Sequence, residues 1–204
     1  LLREAQADEA VARTALNCAG LTYKAFTDQS NSAGRPNSAN QSPALVAGNQ
    51  FISILRRLRG FAKDKELIEN IDRIIRDVES NLQFERHLKP ILELAVKIRD
   101  TPGIKAVEKL NRLSSQVLPP LDTLISQKAL SAELLDDLCN AISAMLRGLG
   151  IDANNNDSMP GVAAQAMNAA LRYARDQQLK ERLQQDVYAA KNNQQAKFAS
   201  NRAK

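Results

Sequence analysis

Apolar residues recur at three- and four-residue spacing along most of the chain, the period of helices that each bury one face. Phe51, Ile52, Ile54, Leu55, Leu58 and Phe61 form one such group, and Leu67, Ile71, Ile74, Ile75 and Val78 form the next. The short charged connection Lys63-Asp64-Lys65 predicts that these two helices pair antiparallel. Ile91, Leu94, Ala95 and Ile98 mark a third helix that starts near Lys89 or Pro90, because proline suits a first helical turn. Asp100-Thr101-Pro102-Gly103 reads as a stop and a restart, with Thr101 capping and Pro102 opening a helix that buries Ile104, Val107, Leu110 and Leu113. Pro119-Pro120 opens a short helix carrying Leu121, Leu124 and Ile125. Ser131 caps a sixth, whose Leu134, Leu138, Ile142, Met145 and Leu149 repeat at 4, 4, 3, 4 and whose end is expected at Gly148 and Gly150.

Two polar stretches divide this pattern. Residues 28–45 turn to Ser, Asn, Gln, Gly and Pro, too polar to bury and too rich in breakers for a helix. Residues 151–159 (IDANNNDSM) form the second break. The organisation expected is therefore an N-terminal helix over 1–27 with a small-residue face, a polar linker or loop over 28–45, a helical bundle over 46–150, a polar loop over 151–159 and a long C-terminal helix over 160–204. In that last helix Leu179, Leu183 and Val187 repeat at spacing 4 and 4, and beyond Ala190 only Phe198 is large and apolar. Its distal end is expected to project, fray or lie against another chain.

Composition supports the same class. Aromatic residues make up 4% of the 204 residues and there is no Trp, while Ala, Leu, Gln, Asn, Lys and Arg are abundant, which favours helices over sandwiches and barrels. The fold class is all-α, an irregular multi-helix bundle or a short armadillo- or HEAT-like stack; no fixed internal period supports a true repeat array. Charged residues interrupt every apolar run, so no membrane span is expected. The chain begins Leu1-Leu2-Arg3 with no leader-like pattern after it, which reads as an excerpt or a processed product. Cys18 and Cys139 lie far apart and form no CxxC pair, which suits an intracellular setting, cytoplasmic or nuclear.

Charge permits an acidic partner without concentrating on one. The net charge is +5, and residues 51–100 carry 11 basic and 9 acidic side chains against 8 and 5 in residues 151–204. The densest basic feature is Arg56, Arg57, Arg59 and Lys63; Arg56, Arg59 and Lys63 share a helix face at spacing 3 and 4 and form a candidate phosphate-contacting surface. The basic residues of the C-terminal helix are interleaved with Gln and Asp and have little aromatic support, which suits a partner-binding helix better than a base-stacking platform.

Catalytic chemistry has little to draw on. His87 is the sole histidine, so a two-His metal site is impossible, and its neighbours Glu85, Arg86 and Lys89 read as the rim of a helix. Cys18 and Cys139 sit among small or apolar neighbours and read as packing residues. The eight glycines form neither GxGxxG nor GxxxxGK[ST], and the carboxylate pairs Glu66/Glu69 and Asp136/Asp137 fall on polar faces. No cofactor and no metal is expected.

The segment Leu88 to Leu113, with Thr101, Ile104, Lys105, Val107 and Leu110, resembles the helical core of transcription-elongation-factor N-terminal domains, small bundles that bind disordered partner motifs. The likeness covers about 26 residues, and the Trp-bearing helix of those domains has no counterpart in a chain without Trp. The sequence thus leads to a non-enzymatic protein–protein interaction domain, a scaffold or subunit of a larger assembly. Leu179, Leu183 and Val187 are its expected partner contacts, and nucleic-acid binding through Arg56, Arg57, Arg59 and Lys63 is the alternative. Membrane-surface binding is the weaker third reading, since the basic faces carry acids and lack bulky apolar flanks.

Overall fold

A computed structural model describes residues 10, 11, 13–17, 20, 21, 24, 43–127 and 130–202. Among them there are helices and connections and no strand, an all-α multi-helix bundle. In chain order the helices are α1 Pro43–Phe61, α2 Lys65–Gln83, a π turn Phe84–Leu88, α3 Lys89–Asp100, α4 Ala106–Gln116, α5 Leu118–Gln127, α6 Ala132–Asn155, α7 Pro160–Tyr173 and α8 Gln177–Arg202. The chain divides into two compact units, Leu1–Arg86 and His87–Lys204. The stretch 46–150 expected as one bundle is therefore split between them, and α7 and α8 belong to the second unit's core.

In the first unit α1 and α2 run antiparallel, since Gly48 meets Leu82 at one end while Arg56 pairs with Glu79 and Arg59 with Asp72 toward the other. Asp64 caps α2 by accepting the Glu66 amide at 3.1 Å. Leu67, Ile71, Ile75, Val78 and Leu82 then form a buried stripe at spacing 4, 4, 3, 4. It packs on Phe51, Ile52 and Leu55 of α1 and on Leu16. A Cβ on Gly48 would lie 2.5 Å from Leu82 Cδ2, so this glycine lets the two helices approach. Most of the N-terminal helix expected over 1–27, and residues 28–42 of the expected linker, lie outside the described residues. Pro43 and Ala44, placed in that linker, already belong to α1.

Between α2 and α3 the chain stays helical through the π turn. Pro90 has no N–H for the carbonyl four residues back, and a widened turn accommodates that missing bond.

The second unit holds α3 to α8. Three expected boundaries move. Thr101 ends α3 instead of capping the next helix, its hydroxyl donating to the Lys97 carbonyl at 2.6 Å, and Gly103 takes φ +75° before α4 begins at Ala106. The α4 N-terminus is capped from afar, the Val107 amide donating to Asp157 Oδ2 at 3.1 Å. Helix α6 runs past Gly148 and Gly150 to Asn155, so Ile151 to Asn155 are helix and the loop shrinks to 156–159. Gly150 faces α7, where an added Cβ would meet Met167 Cγ at 3.3 Å.

The single helix expected over 160–204 is two helices, broken at Ala174-Arg175-Asp176. Asn140 Oδ1 on α6 accepts the amides of Arg175 at 2.7 Å and Asp176 at 2.9 Å. Asp176 then caps α8 by accepting the Leu179 amide at 2.8 Å. The chain turns back and α8 packs along α7, with Val187 and Ala190 against Ala163, Ala164 and Met167. Ser143, fully buried on α6, donates to the Ala170 carbonyl of α7 at 2.6 Å.

Candidate functional site

The apolar repeat of the C-terminal helix is not a free contact surface. Leu183 is 0% exposed and Val187 8%, and Leu179 is half-buried, so the stripe expected to dock a partner forms part of the second unit's own core. The reason is the turn at Ala174 to Asp176, which folds α8 onto α7 where a straight helix would have presented the same residues outward. Arg147 on α6 also pairs with α8, Nε donating to Asp186 Oδ2 at 2.5 Å.

The basic quartet separates into different environments. Arg56 pairs with Glu79 at 2.9 Å. Arg59 makes a two-pronged contact with Asp72, Nε to Oδ1 at 2.5 Å and Nη2 to Oδ2 at 3.1 Å. The guanidinium holds the Asp72 carboxyl below the ordinary carboxylate range, and Asp72 raises Arg59. A phosphate at this face would have to displace carboxylates already in place. Lys63 is exposed just beyond the end of α1. Arg57 points away from α2, exposed, and no carboxylate pairs with it among the described residues.

What surrounds Arg57 is the least expected feature of the first unit. Residues grouped by sequence as one apolar set divide between opposite sides of α1. Phe51, Ile52 and Leu55 face the core, whereas Ile54 is 46% and Phe61 73% exposed. With Val46, 41% exposed, these two form a second apolar row. Val46, Gln50, Ile54, Arg57 and Phe61 follow at spacing 4, 4, 3, 4 and occupy an arc of about 80° on a helix of 3.6 residues per turn. Helix α1 contains no acidic residue. The spacing was present in the sequence; it is masked there because the two rows interleave as one nearly continuous apolar run.

Other places in the fold offer little chemistry. A cavity of about 430 Å³ beside α2 is lined by Arg13, Glu66, Glu69, Asn70, Arg73 and Arg76 together with Leu67, a mixed-charge surface in which Arg73 already donates to Asn70. A second, of about 280 Å³, lies at the start of α4 between Lys105, Lys109, Asp152 and Asp157, and Asp157 there is engaged with the Val107 amide. Cys139 is a free thiol, fully buried, and burial pushes its pKa up, the opposite of an activated nucleophile. Cys18 lies outside the described residues. His87 is half-buried in the π turn. Tyr173 is buried and donates to Asp122 Oδ1 at 2.9 Å, and burial with that bond pushes its pKa up to about 12. Among the described residues no group of three His, Cys, Asp or Glu is placed to hold a metal, and no helix is long and apolar enough to cross a membrane.

No protein-family model matches the chain, and neither a curated protein nor a solved structure matches it.

Proposed function

We propose that this chain is a non-enzymatic helical interaction module, a scaffold or subunit of a larger assembly, and that its contact face is the outer row of α1. The observation that carries this reading is the double-sided character of α1. One apolar row is in the core, and a second, with Val46, Ile54 and Phe61, is open to solvent. A helix apolar on opposite sides is at home between two layers, and exposed apolar rows with a polar residue among them mark protein contacts. Arg57 within the row adds a residue type enriched at interface hot spots. The α8 stripe does not supply this face, because Leu183 and Val187 are buried in the second unit. Nucleic acid is the weaker partner class, since Arg56 and Arg59 are held by Glu79 and Asp72. The widely separated cysteines, with Cys139 a free thiol, fit an intracellular setting.

The test is a photo-crosslinking residue in place of Ser53, exposed at the edge of the row, with the same residue in place of Gln165, exposed on α7, as control. Illumination in an extract of the source cells is expected to give a protein adduct from position 53 that Phe61→Asp removes. No adduct from position 53, or equal adducts from both positions, overturns the reading.

A further inference from the structure

We draw no further inference here: the strongest candidate, the surface patch along one side of α8 where Tyr188, Lys191, Phe198 and Arg202 are exposed, is an unpartnered helix face, and nothing in the structure shows what covers it.

Discussion

The side chain of Asn140 holds the main chain of Arg175, its Oδ1 accepting the Arg175 amide at 2.7 Å, and the same oxygen accepts the Asp176 amide at 2.9 Å. One carboxamide on α6 thereby satisfies two consecutive N–H groups at the break between α7 and α8. The turn carries Leu183 and Val187 into the core of the second unit. Asn140→Ala is expected to destabilise the second unit by about 1–2 kcal/mol, since both amides lose their acceptor but sit near water. Asn140→Asp keeps an acceptor in place and is expected to recover most of that loss. Urea unfolding of the two variants at neutral pH is the measurement, and equal loss in both would show that the oxygen is not what holds the turn.

Leu183 and Phe198 lie on the same helix with opposite expectations. Leu183 is fully buried, and Leu183→Ala is expected to cost about 2–5 kcal/mol through lost burial and the cavity left behind. Phe198 is 62% exposed, and Phe198→Ala is expected to change stability by less than about 0.5 kcal/mol. Thermal melts of the pair check the placement of α8 on α7.

Gly148 and Gly150 are two residues apart in α6 and differ only in what their missing side chains would meet. An added Cβ at 148 meets nothing within 4 Å, so Gly148→Ala is expected to stabilise by about 0.5–1 kcal/mol through helix propensity. At 150 the Cβ would meet Met167 Cγ at 3.3 Å and the Ala163 carbonyl at 3.4 Å, and the same gain is offset by crowding. Chemical denaturation is expected to rank Gly148→Ala above the parent and Gly150→Ala at or below it.

Tyr173 makes stability depend on alkaline pH. Its pKa in the folded chain is raised to about 12, above the ordinary value near 10. Below pH 10 the phenol is neutral folded and unfolded, and its contribution is constant. As pH rises from about 10 through 12 the unfolded chain releases the proton first, so stability falls. Tyr173→Phe is expected to lower stability at pH 8 by about 1 kcal/mol, the bond to Asp122, and to flatten the decline between pH 10 and 12. Unfolding free energies at pH 8 and pH 11 for both proteins test this; parallel declines would argue against it.

The basic residues of α1 are expected to bind nucleic acid weakly. Fluorescence anisotropy with single- and double-stranded oligonucleotides at about 50 mM salt is expected to show no association tighter than about 10 µM, because Arg56 and Arg59 already have carboxylate partners. Tighter binding that collapses at about 200 mM salt and is lost in Arg57→Glu would restore the nucleic-acid reading.

The all-α class, the stripe on α2, the Ser131 cap and the antiparallel pairing of α1 with α2 were legible in the sequence, because each rests on local periodicity, on a residue capping its own helix or on a connection too short for another arrangement. What covers a stripe was not legible. Leu179, Leu183 and Val187 have the same spacing whether they face a partner or α7, and Ile54 and Phe61 look like core until α2 takes only one side of α1. The signals that decided these cases come from residues far away in the chain. Asn140 turns Arg175 and Asp176, Asp157 caps α4 across 50 residues, and Gly150 admits Met167. Periodicity states which residues share a face, whereas hydrogen bonds and close packing between distant segments determine which faces are closed, and only the tertiary structure holds those.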